Sequence, residues 1–305
     1  MFGIHKLPGI KLYWSTDSLL QVNAVSDVMS RNRYFVINRY LHLNDSLLYK
    51  PRGTDGHDPM FKVRPLLDLV LVNSQQNFTP GASLSVDEAM IAFKGRIYFK
   101  QYIKGKPTPW GIKVWCAADA ETGYLVNFSF YTGKSNNVEE GGQGYNVVMS
   151  LTEPYQEVYR QIFSDNFFTS VKLASDLLEK KTYFCGTIRT NRKGWPVKLR
   201  GKKKKVVGAV EMYQQGNLVA CQWTEKRVVN ILSTNCNPSM DNAERRTKTG
   251  PVIKQIPSPV LSYNSGMGGV DKNDQLRSYY PIGRHSKKWW RCAFWYLFQV
   301  AAVNA

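Results

Sequence analysis

The sequence has few cysteines and no closely spaced pair of them. Its five cysteines are scattered along the chain: Cys116, Cys185, Cys221, Cys236 and Cys292. A Cys-x-x-Cys pair is the usual start of a structural zinc site, so the sequence gives such a site no support. Free thiols are typical of a reducing compartment, the cytosol or the nucleus.

Long apolar runs are also missing. The longest one, from Cys292 to Val303, is shorter than the roughly 20 residues that a membrane-spanning helix needs. The first residues, from Met1 to Pro8, contain no apolar core followed by a small-residue cleavage site, so they do not resemble a secretory signal. We therefore expect no membrane among the partners of this protein.

Acidic residues are scarce. The 305 residues include 23 aspartates and glutamates against 41 lysines and arginines, which gives a formal net charge of +18. A surplus of this size favours a polyanionic partner, usually nucleic acid and less often an anionic membrane surface. The length allows one to three domains and a sizeable core.

One aspartate lies inside an apolar segment. Leu84 and Val86 alternate with Ser85 and Asp87, a period of two that predicts a β-strand carrying the Asp87 carboxylate on its outward face. Most such aspartates are ordinary turn or strand-end residues. Two later stretches, residues 162–168 with Asp165 and residues 267–276 with Asp271, place further aspartates at the edges of ordered elements.

Hydrophobic periodicity predicts an alternating order of elements. Two helices are predicted before Asp87, at residues 30–41 and 64–72. After it, a turn at Asp119–Gly123 is predicted to join the strands 112–118 and 124–131. The elements predicted from residue 112 onward are strands at 112–118, 124–131, 158–163 and 183–189 and helices at 145–151 and 170–180. Three antiparallel strands followed by helix, strand, helix and strand predict an α/β fold with an RNase H-like catalytic core.

The composition changes after residue 189. A basic segment without acids ends in four consecutive lysines, and three short strand-like runs follow at 206–213, 218–224 and 227–233. The polar, proline-rich stretch 235–259 predicts a connector. The apolar last element, 287–304, predicts a helix buried on all sides that packs on the N-terminal helices. The predicted domains are an all-α domain from both chain ends (1–80 and 281–305), the RNase H-like core (81–189 and 258–280) and a basic β-rich insertion (190–257).

Three aspartates on separate elements suit a hard divalent cation. Carboxylates brought together repel one another unless a cation is present, and oxygen ligands without cysteine or histidine select Mg²⁺ or Mn²⁺. We expect Asp87, Asp165 and Asp271 to be catalytic and, with Asp274 one helical turn beyond Asp271, to hold two metal ions that act on a phosphodiester. The residues expected to bind DNA are Arg189, Arg192, Lys193, Lys202, Lys203, Lys204, Lys205, Lys287, Lys288 and Arg291.

Several motifs together resemble one family. They are residues 29–34 (MSRNRY), 40–45 (YLHLND), 87–88 (DE) with 93–96 (FKGR), 119–124 (DAETGY), 165–170 (DNFFTS), 186–189 (GTIR), 267–271 (MGGVD) and 288–290 (KWW). Over nearly the whole chain the sequence resembles piggyBac-type transposases and their domesticated derivatives. The resemblance places the three catalytic aspartates on Asp87, Asp165 and Asp271 and an additional acid on Asp274.

The resemblance also implies an activity and partners. It implies cut-and-paste DNA transposition through hairpin ends into TTAA targets, a homodimer formed by an all-α dimerisation and DNA-binding domain, and a nuclear location. The long acidic N-terminal region and the C-terminal cysteine-rich zinc domain of the family are not in this sequence, so we expect a fragment or a domesticated copy. Three functions stay open: an active transposase core, a catalytically silent DNA- or chromatin-binding derivative, and an RNase H-like nuclease unrelated to transposition.

Overall fold

The computed structural model describes residues 4–134, 141–200, 206–247, 250–279, 281–282 and 286–305. The chain has a mixed α/β fold. Its helices are α1 Asn23–Ser26, α2 Arg31–Tyr40, α3 Arg64–Gln76, α4 Gln143–Thr152, α5 Val171–Glu179, α6 Ser258–Gly266, α7 Gly269–Tyr279 and α8 Trp289–Asn304. Its strands are β1 Ser83–Ala92, β2 Gln101–Tyr102, β3 Trp110–Asp119, β4 Leu125–Phe130, β5 Gln161–Ser164, β6 Tyr183–Thr187, β7 Val210–Gln215, β8 Leu218–Thr224, β9 Val228–Ser233, β10 Met240–Thr247 and β11 Gly250–Pro257.

The chain divides into two compact units. The first contains the residues up to Asn73, Met90–Ile112 and Gln275–Ala305, and the second contains Ser74–Ala89 and Lys113–Asp274. In the first unit α2 begins where the sequence predicts, because the Ser30 side chain accepts a hydrogen bond from the Arg33 N–H and caps the helix. The three-domain division remains a prediction.

The last helix differs from its prediction. The buried residues of α8 (Ala293, Tyr296, Leu297 and Val300) share one face, whereas Phe298 is 47% exposed. Spacings of three and four residues put those four side chains on a single stripe, so the expectation of burial on all sides is wrong. Within the described part of the chain, every helix is too short or too polar to traverse a lipid bilayer.

A mixed sheet forms the centre of the second unit. Its strands follow the order β3, β1, β5, β6, β9, β8, β7, with β4 beside β3. β1, β5 and β6 are mutually parallel, and β9 joins β6 antiparallel. Strands β7–β9, which lie in the predicted insertion, therefore continue this sheet.

Strand alternation sends side chains to two different cores. Leu84, Val86 and Ile162 pack with residues of α4 and α5 on one face. Phe163 and Cys185 pack with β11 and α6 on the other. Since successive residues of a strand point to opposite faces, Ser85 and Asp87 lie on the α6 face.

The structure differs from the prediction at several strand boundaries and in the segment predicted as a connector. The strand expected at 158–163 begins only at Gln161, because Glu157 and Tyr159 have left-handed backbones with φ of 68° and 58° that no strand accommodates. The connector expected at 235–259 contains the antiparallel hairpin β10–β11. Its prolines are tolerated because each strand of a two-stranded ribbon has one unpaired edge.

Candidate catalytic site

Asp87, within β1, and Asp165, directly after β5, lie at the same level of two adjacent parallel strands. The pairing of β1 with β5 ends at Val86 opposite Ser164, and the next residue of each chain segment is one of the two aspartates. Both are partly buried. The strand register thus brings together two carboxylates that are separated by 78 positions in the sequence.

Backbone N–H groups orient both carboxylates. The Glu88 N–H donates to Asp87 Oδ1 at 2.8 Å, and the Phe167 N–H donates to Asp165 Oδ1 at 2.8 Å. Burial raises the pKa of Asp165, the Phe167 N–H opposes this rise, and the neighbouring charge of Glu88 adds to it. Burial and the nearby Glu88 carboxylate therefore make it unfavourable for negative charge to accumulate at the Asp87–Asp165 pair.

Tyr263 and Lys113 lie near both carboxylates. Burial raises the pKa of Tyr263 to about 12, and the charges of Asp165 and Asp87 contribute to the rise. Burial lowers the pKa of Lys113, and the charge of Glu88 opposes this. Neither residue is among the candidates predicted from the sequence, although Lys113 is the one charged side chain in the apolar run from Ile112 to Ala118.

The turn between α6 and α7 packs directly on β1 and β5. A Cβ atom at Gly269 would lie 2.5 Å from Ser85 Oγ and 2.6 Å from the Asp119 carbonyl oxygen. A Cβ atom at Gly266 would overlap the buried Phe163 ring. Glycine at both positions therefore permits the backbone to approach the sheet closely.

The beginning of α7 is fixed to the strand that carries Asp87. The Val270 N–H donates to Ser85 Oγ at 3.1 Å, and Asn273 Nδ2 donates to the Gly123 carbonyl oxygen at 3.0 Å. Asp271, in the first turn of α7, is consequently held beside the face of β1 on which Asp87 lies.

Asp271 and Asp274 differ in exposure. The Asp271 side chain is exposed, whereas Asp274 is half-buried. Among the described residues, no three His, Cys, Asp or Glu side chains are grouped closely enough to hold a metal ion. Asp87 and Asp165 supply the oxygen donors that Mg²⁺ or Mn²⁺ prefers. The expectation that Asp271 and Asp274 complete that site remains a prediction.

Asp119 is a turn residue, as predicted. Its carboxylate accepts hydrogen bonds from the Gly81 N–H at 3.0 Å and from the Thr122 N–H and hydroxyl at 2.8 Å each. Burial opposes the effect of these donors, yet the pKa of Asp119 is lowered.

The basic residues expected to bind DNA have different settings. Arg189 is exposed, donates from Nε to Asn166 Oδ1 at 2.9 Å and is close enough for its charge to oppose the rise in the pKa of Asp165. Arg192 is half-buried and donates to the Phe167 carbonyl oxygen at 2.7 Å, so it holds the loop after Asp165. Lys193 is exposed.

The remaining basic candidates lie elsewhere. Lys287 and Lys288, in the first unit, are exposed. Arg291 is half-buried, donates to the Asn38 carbonyl oxygen and lies 5.3 Å from the centre of the Trp290 ring. Residues Lys202–Lys205 lie outside the described part of the chain.

The lysine run, Lys202–Lys205, is expected to affect the salt dependence of DNA binding. If all four lysines contact phosphate, replacing them with alanine should reduce the slope of log K against log[salt] by up to about 3.6, at roughly 0.9 per contact. Titrations of a fluorescent duplex at several salt concentrations measure the slope. Four arginines at the same positions are the control and should preserve it. An unchanged slope in the alanine variant would leave nuclear import or a solvated loop as the role of the run.

Comparison with known proteins identifies the family. The sequence model of the family described as Transposase IS4 matches residues 1–305. Human piggyBac transposable element-derived protein 3 is 31% identical over 99% of this chain and 52% of its own length. The chain belongs to the piggyBac-type transposase family. Human piggyBac transposable element-derived protein 2 is 30% identical over the same shares of the two chains.

A solved structure agrees with this assignment. The piggyBac transposase in a synaptic complex with hairpin DNA superposes with a TM-score of 0.85 and 30% identity, over 100% of this chain and 62% of that one. The resemblance to piggyBac-type proteins inferred from the motifs is thus confirmed. The chain spans about half the length of the two human relatives.

Proposed function

We propose that this chain is the catalytic core of a DDD transposase, which cleaves DNA strands and transfers them in a reaction that depends on a divalent metal. The observation that carries the proposal is the register of β1 and β5, which sets Asp87 beside Asp165. The hydrogen bond from the Val270 N–H to Ser85 Oγ, which anchors the beginning of α7 to β1, supports the addition of Asp271 to this pair. Membership of a transposase family supplies the reaction class.

Each residue of the site has a proposed role. Asp87, Asp165 and Asp271, with Asp274, would hold two Mg²⁺ or Mn²⁺ ions. When bound, such ions activate an attacking oxygen and stabilise the leaving oxygen of a phosphodiester. The N–H groups of Glu88 and Phe167 keep the carboxylates of Asp87 and Asp165 oriented. Arg189, exposed beside Asp165, would bind a DNA phosphate.

The proposal extends to fold detail and partners. We infer an RNase H-like core (81–189 and 258–280), a basic β-rich insertion (190–257) and an all-α domain (1–80 and 281–305) that forms a homodimer. The superposed relative is a complex with hairpin DNA, and the +18 charge of this chain suits the same partner. By family resemblance the DNA comprises transposon ends and TTAA targets, and the protein acts in the nucleus.

A second candidate function is binding to DNA or chromatin without catalysis. The exposure of Asp271 favours it. Nicking of a supercoiled plasmid in Mn²⁺ separates the two functions. The transposase proposal requires nicking that depends on the metal, whereas the silent derivative binds the plasmid and leaves it intact.

Metal binding should be visible without any DNA. Mn²⁺ that binds the folded site and not the unfolded chain stabilises the fold, by roughly 1.4 kcal/mol at a concentration tenfold above Kd. For a chain of this size we expect a rise in Tm of roughly 2–5 °C, measured by differential scanning fluorimetry. In Asp87→Asn the rise should shrink or vanish, because one anionic ligand is lost.

Two controls test this reading. The exposed Asp241 lies on β10, which belongs to a separate two-stranded sheet, so Asp241→Asn should keep the full shift. Without metal, Asp87→Asn should be no less stable than the wild type, since one repelling carboxylate is neutralised. Equal shifts in the wild type and Asp87→Asn would show that Asp87 holds no metal and would favour the DNA-binding derivative.

A further inference from the structure

Lys113 occupies an enclosed position beside the candidate catalytic pair. Its side chain is 12% exposed, and its Nζ lies 3.5 Å from Glu88 Oε2, on a glutamate whose side chain is also 12% exposed. The ammonium lies 3.7 Å from the centre of the Trp115 ring and 4.9 Å from that of Phe167. One buried cation thus contacts an anion and two aromatic faces, an arrangement that gains strength from the exclusion of water.

Two of these contacts are the residues that orient the carboxylates. Glu88 donates its N–H to Asp87, and Phe167 donates its N–H to Asp165. Lys113 lies on β3, which neighbours β1, and β1 in turn neighbours β5. The Lys113 side chain therefore extends across β1 to the ring of Phe167, which lies after β5. A single side chain therefore links the two hydrogen-bond donors on which the geometry of the pair depends.

We propose that Lys113 is a positioning residue for the Asp87–Asp165 pair, acting through Glu88 and Phe167. The inference rests on the proposed transposase function and assigns that function a residue beyond its aspartates. The Lys113 ammonium holds the Glu88 side chain and the Phe167 ring in one arrangement, which fixes the N–H groups that receive the two carboxylates. Its charge also offsets part of their mutual repulsion in the metal-free protein.

The competing reading is a buried ion pair that only stabilises the fold. A more exposed lysine–glutamate pair in the same unit provides a control for the loss of such a pair. Lys254 Nζ lies 2.8 Å from Glu225 Oε1 and 5.3 Å from the centre of the Trp223 ring. Removing Lys254 therefore breaks a lysine–glutamate pair beside a tryptophan without touching a residue that orients Asp87 or Asp165.

The test compares three variants with the wild type, using a supercoiled plasmid and Mn²⁺ as probes. Lys113→Met keeps an unbranched chain over Trp115 and removes the charge. Lys113→Arg keeps a cation that stacks on aromatic rings. Lys254→Met is the control. Single-turnover nicking rates across a Mn²⁺ titration separate the maximal rate from the metal requirement, and plasmid affinity is measured in parallel.

We expect Lys113→Met to lower the maximal nicking rate about 10–100-fold, the range found when a residue that orients metal ligands is lost. Its plasmid affinity should stay within about threefold of the wild type, since few phosphate contacts change. Lys113→Arg should recover most of the rate, and Lys254→Met should match the wild type. A purely stabilising role predicts no difference between Lys113→Met and Lys254→Met once both are folded.

The outcomes separate this inference from the proposed function. If the wild type nicks the plasmid and Lys113→Met nicks as fast as Lys254→Met, the role of Lys113 is overturned while the transposase proposal stands. If the wild type neither nicks nor shows a Mn²⁺-dependent rise in Tm, both are overturned. Should Lys113→Met fail to fold, Glu88→Gln breaks the same ion pair and keeps a hydrogen-bond acceptor. A Glu88→Gln rate equal to that of the wild type would then overturn the inference.

Discussion

Asp87→Asn, Asp165→Asn and Asp271→Asn should each lower the rate of Mn²⁺-dependent strand cleavage by about a thousandfold or more, the upper range for losing one electrostatic contact to a transition state. Asparagine preserves the shape of the side chain and removes the charge that a divalent ion needs. DNA affinity should stay within a few-fold, because the basic surface is unchanged. Single-turnover nicking of a plasmid and fluorescence anisotropy with a labelled duplex measure the two quantities.

The three variants test different parts of the site. Asp87 and Asp165 are brought together by the strand register, whereas Asp271 depends on the placement of α7. Asp241→Asn, on the β10–β11 hairpin, is the control and should cleave at the wild-type rate. Retained cleavage in any one of the three would remove that aspartate from the site. Retained cleavage in Asp271→Asn alone would leave Asp87 and Asp165 as a two-carboxylate centre.

Gly269→Ala and Gly266→Ala should each destabilise the fold by about 1–3 kcal/mol, the usual range for overpacking a close contact. The new methyl group of Gly269→Ala would lie 2.6 Å from the Asp119 carbonyl oxygen. This oxygen belongs to the backbone, which cannot move aside as a flexible side chain can. That of Gly266→Ala would overlap the Phe163 ring, which is 1% exposed. For a chain of this size we expect a fall in Tm of roughly 2–4 °C per kcal/mol.

A neighbouring glycine provides the control for both variants. Apart from its two chain neighbours, no heavy atom of the described residues lies within 4 Å of a Cβ built at Gly268, so Gly268→Ala should change the free energy of unfolding by less than about 0.5 kcal/mol. Differential scanning fluorimetry compares the three. Gly269→Ala should also reduce cleavage, because the shift displaces the first turn of α7 and Asp271 with it. Equal Tm values for all three variants would contradict the close packing of this turn on β1 and β5.

Local patterns were sufficient to predict several elements. The alternation around Asp87 predicted β1, and the Ser30 cap predicted the start of α2, because both signals depend on residues within one or two turns of chain. The chemistry of residues Asp119–Gly123 predicted the turn in which Asp119 holds its own backbone neighbours. The motifs also identified the family, which the match over residues 1–305 confirms.

Long-range pairing decided what these patterns could not. Nothing near the polar stretch 240–257 shows that each half is the partner of the other, and only the antiparallel pairing turns it into β10 and β11. The three strands after the basic segment were predicted as part of a basic β-rich insertion, and nothing in their local pattern indicates that β9 lies beside β6. A strand's neighbour is chosen by hydrogen bonds between distant segments, and these leave no local signal.

The sequence by itself determined the residue types of the site: outward aspartates at element edges, a glycine-rich turn before α7 and a strongly basic chain. The tertiary structure decided which of them meet. The parallel register of β1 and β5 places Asp87 beside Asp165, and the close approach at Gly269 brings α7 onto the same face of the sheet. The tertiary structure also brings Lys113, an isolated lysine in an apolar strand, into contact with both Glu88 and Phe167. The physical reason is that local composition sets what a side chain can do, whereas its neighbours are set by strand pairing and packing across the whole chain.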